Sequence, residues 1–245
     1  MPSLLTLRSK AADDLETILA KLDRRHRALV LAAIEQYGSV GAIPESFWED
    51  MRRDIEDEET AAALLLLMIA SDEWTTGKIG KQGVVVTGTG RQVPEYAQRA
   101  AAQTQRIAQQ TVTTIRDKLA DKLAEPDVTP RDAVRDVFTK DRIERIAGTE
   151  VVQASSTGQI GAGHRVGAGT GVGAGTGEGQ RVRVQLIWTV HPELSKTGPC
   201  KICAPLSGQP EEVWGAVFRD GPGDDAHPNC KCSLEVRVLV LGRES

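Results

Sequence analysis

Aromatic residues are scarce in this chain, with three Phe, four Trp and two Tyr among 245 residues. Cysteine does not occur before Cys200. Neither sign of charge dominates: 30 Lys+Arg stand against 34 Asp+Glu, a formal net charge of −4. That balance excludes a global basic footprint for nucleic acid, so any DNA contact has to come from a local patch. No apolar run reaches membrane-spanning length, since residues 61–70, the longest, suit a core helix instead. The N-terminus has no basic start followed by an apolar stretch and a small-residue cleavage site, so cytoplasmic synthesis is expected. In that compartment clustered cysteines serve more often as metal ligands than as disulfides.

Most of the chain carries helical periodicity. Leu15, Ile18, Leu19 and Leu22 fall at i, i+3, i+4 and i+7, and Leu29, Val30, Ala33 and Ile34 extend the stripe up to a stop at Gly38. His26 lies near this stripe and reads as a packed or boundary residue. A second helix is predicted from Pro44 through Phe47, Trp48, Met51 and Ile55 into the apolar run, which should be buried on several sides or cover a partner. Residues 75–93 read as a flexible loop or short hairpin, because five glycines surround three valines. A third helix is expected from Pro94 to Leu123. Thr129-Pro130 then supplies a cap and a first-turn proline for the next, and Arg142 to Ala154 forms another. Ten of the 22 residues from 158 to 179 are glycine, which predicts a linker or loop. Its Gly167 to Gly173 stretch imitates a dinucleotide fingerprint but lacks the flanking strand and helix.

Beyond the glycines the period becomes two. Val182, Val184 and Leu186 alternate with Arg181, Arg183 and Gln185, and Leu234, Val236 and Val238 alternate with Glu235 and Arg237, which predicts two strands. The expected architecture is therefore α+β. A mainly helical region over 1–125 and connecting helices over 126–157 lead through the linker at 158–179. They precede a small Cys-rich zinc-knuckle domain with short antiparallel strands over 180–245.

Between the strands lie Cys200-x-x-Cys203 and Cys230-x-Cys232, with His227 three residues ahead of Cys230. A Cys-x-x-Cys turn aims two sulfurs at one point, and Cys-x-Cys on an extended segment puts both on one face. Two such pairs can close a tetrahedral structural Zn2+ site. The ligand candidates are Cys200, Cys203, Cys230, Cys232 and His227, with the four cysteines favoured and His227 as a supporting or substitute ligand. Two disulfides and a redox Cys-x-x-Cys are the alternatives. His191-x-Glu193 followed by Pro199-Cys200-x-x-Cys203 also spells a zinc-deaminase signature, but the few residues between its halves cannot form the helix and strand that fold requires. A zinc-supported nuclease would need His227 or His191 as base and Asp220, Asp224 or Asp225 for a second metal. The Asp- and Gly-rich run before His227 reads more simply as a turn.

The motif set Trp188-Thr189, Cys200-x-x-Cys203, Leu206-x-Gly208, Phe218 and His227-Pro-x-Cys230-x-Cys232 resembles the C-terminal domain of the phage head morphogenesis, or minor head protein, family typified by the F protein of phage Mu. Arg145 to Glu150, with its Thr-Glu pair, is similar to the helix that precedes that domain. The resemblance spans roughly residues 141–240. Lys231 stands where the family usually has Arg, and Val190 to Glu193 replaces its usual acidic position. The resemblance implies a structural, non-enzymatic virion component made in the host cytoplasm. It would sit in the capsid interior near the portal, in several copies per virion, and act in head assembly, DNA packaging or ejection. Its implied partners are the portal protein and the major capsid protein, with packaged DNA left open and no membrane. A DNA-processing enzyme is the alternative.

Overall fold

The structure is a computed structural model, and it describes residues 2–56, 58–82, 93–169, 181–194, 198, 200–219, 221–223 and 230–241. Six long or medium helices come first: α1 (Leu4–Tyr37), α2 (Glu45–Ile55), α3 (Glu58–Gly80), α4 (Val93–Leu123), α5 (Pro130–Val137) and α6 (Lys140–Gly169). Strand β1 (Arg181–Thr189), the short helix α7 (Glu211–Trp214) and strand β2 (Ser233–Leu241) follow. The strands pair antiparallel in one two-stranded sheet. The fold is thus α+β, as the change from helical to twofold periodicity predicts. No helix among the described residues is long and apolar enough to cross a membrane.

Local chemistry sets several boundaries. Gly38 adopts φ +79° and its N–H donates to Ile34 O at 2.8 Å, which ends α1. Thr129 Oγ1 accepts from Asp132 N at 3.2 Å with Pro130 in the first turn, and this opens α5. Three expectations change. The second predicted helix is two, since α2 ends at Ile55 and α3 starts at Glu58 across an acidic Glu56-Asp57-Glu58 step. The loop expected from residue 75 begins later, because α3 continues to Gly80; residues 83–92 lie outside the described set. The linker expected at 158–179 is helical up to Gly169, and 170–180 lie outside the described residues.

The chain forms two compact units. One comprises Met1–Ala11, Leu64–Ala97 and Gly148–Ser245, and the other Ala12–Ala63 and Gln98–Ala147. In the second, Leu15, Leu19, Val30 and Ile34 of α1 are buried, as are Trp48 and Met51 of α2, Ile107, Ile115 and Leu119 of α4, and Val134 and Val137 of α5. His26 takes the place in the buried stripe expected of Leu29: His26 is 3 % exposed and Leu29 45 %. A histidine fits there because Asp54 Oδ2 lies 3.2 Å from its Nε2. Burial lowers the His26 pKa below its ordinary value, against the opposing pull of Asp54, while Arg25 adds to the lowering and Asp23 opposes it.

This shift has a sign. The folded chain resists protonating His26 more than the unfolded chain does, so the unfolded state binds more protons as pH falls through about 6.5. The His26 contribution is complete above that pH and is lost below it. Wild type should therefore lose more melting temperature between about pH 7.5 and about pH 5.5 than His26→Gln does. Equal losses would remove His26 as the cause.

The first unit holds the part of α6 from Gly148 onward at its centre. Every residue from 150 to 160 is buried, including Gln153, Ser155, Ser156, Thr157 and Gln159. Small side chains let neighbouring elements approach this helix on all sides. Gly158 lies against the α3 backbone, where an added Cβ would meet Met68 O at 2.2 Å. Ser71 Oγ donates to Ser155 Oγ at 3.3 Å. Asp72 of α3, 4 % exposed, accepts from Arg165 Nη1 at 2.7 Å, from Tyr96 Oη at 2.5 Å and from Thr76 Oγ1 at 3.1 Å. That buried carboxylate is fully partnered, which is the condition for burying it at tolerable cost. The glycine-rich sequence is helical because close packing here offsets the entropic penalty of glycine in a helix.

Candidate metal centre

The sheet face that meets the core carries Leu186 and Trp188 of β1 opposite Val236 and Leu234 of β2. Trp188, fully buried, packs its ring 5.9 Å from Trp214 and 5.6 Å from Phe218. Trp214 Nε1 donates to Leu186 O at 3.0 Å. Trp188 donates its backbone N–H to Gln209 O at 2.9 Å and accepts from Gly208 N at 2.8 Å, so the Leu206-x-Gly208 segment borders β1. Gln159 of α6 covers β2 similarly: its amide donates to Leu234 O at 2.5 Å, and its Oε1 accepts from Leu234 N at 3.4 Å. Both groups of Leu234 are thereby satisfied away from water.

Cys230 and Cys232 enter this core immediately before β2, and Cys203 enters it from the turn after β1. The Sγ atoms of Cys203, Cys230 and Cys232 all lie within 4.8 Å of one another, and the three residues are buried. None of the four cysteines is joined in a disulfide. Cys203 Sγ and Cys230 Sγ are 3.9 Å apart. Thiolates held tetrahedrally by a metal at about 2.3 Å stand about 3.8 Å apart along each edge. The separation thus fits two donors on one metal ion, and it is far too long for a disulfide.

Electrostatics point the same way. Hydrogen bonding from Cys230 and Cys232, then burial, raises the Cys203 thiol far above the ordinary range. Cys232 is pushed up to about 12: the hydrogen bond with Cys203 lowers it, but the Cys230 contact and burial outweigh that. Cys203 and Cys232 are thus held towards the protonated form in the absence of a cation, and a bound divalent ion displaces such protons. The Trp188 indole N–H is buried without a full hydrogen bond, and its polarity favours the thiolate form of Cys232.

The other predicted ligands are placed differently. Cys200 is partly buried, packs beside the same core and stands outside the three-sulfur group. Its Sγ accepts from Ile202 N at 3.2 Å and its carbonyl from Ala204 N at 2.8 Å, which forms the expected Cys-x-x-Cys turn. His227 lies outside the described residues, as do Asp220, Asp224 and Asp225 of the nuclease alternative. His191 turns elsewhere, with Nε2 2.7 Å from Ser233 Oγ and Nδ1 3.0 Å from Glu193 Oε1, so the deaminase-like signature does not gather its ligands.

Arg8 of α1 is a neighbour that no spacing in the sequence signals. It is 7 % exposed, and its Nη1 donates to Cys232 O at 3.0 Å. Burial lowers its pKa to about 10, against the opposing influence of Cys230 and Cys232, so it remains a cation at neutral pH. The buried sulfur cluster is a site that could hold a metal ion. No family model matches the chain, no curated protein matches it, and no solved structure matches it.

Proposed function

We propose that the chain is a structural minor head protein of a tailed phage, and that its three-sulfur cluster holds a structural zinc ion. Support for this reading comes chiefly from the way the C-terminal motif residues are used. Cys203, Cys230 and Cys232 converge inside a core built on Trp188, Leu206 and Phe218, so the residues that carry the family resemblance serve packing and metal retention. Sulfur-rich donors select zinc among the abundant non-redox cations, and buried sites with only protein donors are structural. Cys200 or His227 supplies the fourth donor. Zinc then acts as a cross-link between the segment that follows β1 and the one that precedes β2, at one end of a sheet too small to be stable alone.

In this reading the protein associates with the portal and the major capsid protein inside the virion and assists head assembly, packaging or ejection. Packaged DNA is a contact to be tested. The deciding experiment images particles assembled with and without the chain. Density for several copies around the portal ring, absent when the chain is deleted, is the expected result. A purified chain that cleaves DNA with added divalent metal, and loses that activity in His227→Ala, would replace the structural role with a nuclease.

A further inference from the structure

A guanidinium stays charged at neutral pH, and burying it costs several kcal/mol unless an opposite charge or a full set of acceptors compensates. Other buried or nearly buried arginines of this chain meet that condition with carboxylates: Arg165 with Asp72, and Arg142 with Asp23. Arg8 does not. Among the described residues no carboxylate pairs with it, and its hydrogen bond goes to the carbonyl of Cys232. That carbonyl belongs to one of the clustered cysteines, so the sulfurs of Cys230 and Cys232 are the groups near it that can take a negative charge. As neutral thiols they cannot compensate a cation. Three thiolates around a divalent ion carry a net charge of −1, and four carry −2, so a metal–thiolate cluster can.

We propose that Arg8 is the counter-charge of the metal–thiolate centre, a positioning residue that holds the Cys230–Cys232 segment by its carbonyl and stabilises the cluster by its charge. The inference rests on the metal reading of the sulfur cluster. It assigns a function in the centre to helix α1, which contributes none of the ligands. Groups of this kind beside a metal typically alter affinity by about 10- to 100-fold.

The test uses the full chain as wild type, Arg8→Met and Arg8→Lys, each loaded with zinc and challenged with a chromogenic chelator. Wild type should retain about one zinc per chain. Arg8→Met should release it with an affinity lowered by about 10- to 100-fold, and Arg8→Lys should fall between them, because lysine keeps the charge without the planar fork. A second readout isolates the charge. In the cobalt-substituted chain, the thiolate-to-metal charge-transfer band should move to lower energy in Arg8→Met and return towards wild type in Arg8→Lys. Equal zinc retention by Arg8→Met and wild type, or equal weakening by Met and Lys with unmoved cobalt bands, would overturn the proposal. A wild-type chain that neither contains nor takes up zinc or cobalt would instead overturn the metal reading beneath it.

Discussion

Cys203→Ser is expected to abolish metal binding and melt the C-terminal sheet. Cys203 is 1 % exposed and its sulfur lies 3.9 Å from that of Cys230, so no other donor can take its place without moving the core. A serine hydroxyl is a poor zinc ligand and would be left buried. Structural zinc supplies roughly 10–16 kcal/mol of folding free energy in small zinc modules near pH 7. A typical domain has a net stability of only about 5–15 kcal/mol. Losing the whole metal contribution removes an amount comparable to the entire stability of a domain, and would therefore unfold the segment that depends on it. The expected readouts are zinc content near zero and a red-shifted, more quenchable fluorescence from Trp188 and Trp214. Far-UV ellipticity should fall only in part, because the core of Trp48, Ile107 and Leu119 contains no cysteine. A variant that keeps both its metal and its tryptophan spectrum would refute the structural zinc. Cys200→Ser compared with His227→Ala then identifies the fourth donor as the one whose loss weakens zinc binding more.

The second large effect is expected from Gly158→Ala. On a solvent-exposed helix this change stabilises by about 1 kcal/mol, because alanine loses less backbone entropy. Here the new Cβ would stand 2.2 Å from Met68 O, 2.9 Å from Ser71 Cβ and 3.0 Å from Asp72 N. Two of these are backbone atoms, so no rotamer change relieves the clash and α3 must move away from α6. The movement would also disturb Asp72, whose carboxylate is held by Arg165, Tyr96 and Thr76. Overpacking of this kind costs about 1–3 kcal/mol, and the upper end is expected for a backbone clash. Melting should fall by roughly 5–10 °C for a chain of this size. Gly163→Ala is the internal comparison. The atoms nearest its Cβ would be Cδ1, Cδ2 and Cγ of the Leu186 side chain at 3.0–3.1 Å, with no backbone atom among them, so a smaller loss is expected. If Gly158→Ala melts at or above wild type, the close helix contact is not as described.

What could be read from the sequence follows the range of each interaction. Gly38, Thr129 and Pro130 mark helix ends through chemistry contained within one turn, and the structure keeps those boundaries. The alternation from Val182 to Leu186 and from Leu234 to Val238 declares strands by the same logic. The cysteine spacing was enough to bring Cys203, Cys230 and Cys232 together, because a turn and an extended segment each fix where a sulfur points. The errors arise where a distant partner decides. Glycine weakens an isolated helix, so residues 158–169 read as a linker, yet α3 seats against Gly158 and reverses the balance. Leu29 looked more apolar than His26, but Asp54 makes the buried histidine acceptable. Arg8 carries no local signal at all, since its partner is 224 positions away.

That separation bears on how the chain is made. The unit that contains the sulfur cluster is assembled from Met1–Ala11, Leu64–Ala97 and Gly148–Ser245, three stretches delivered at different times. At translation rates of about 5–20 residues per second, the 224 positions from Arg8 to Cys232 take on the order of 10–45 s to synthesise. Through that interval the first turns of α1 exist without the carbonyl that Arg8 binds, and helix α6 exists without the strand that Gln159 clasps. On the proposed zinc reading, capture of the ion therefore waits until Cys232 has been made, and metal supply from that moment sets how soon this unit is complete.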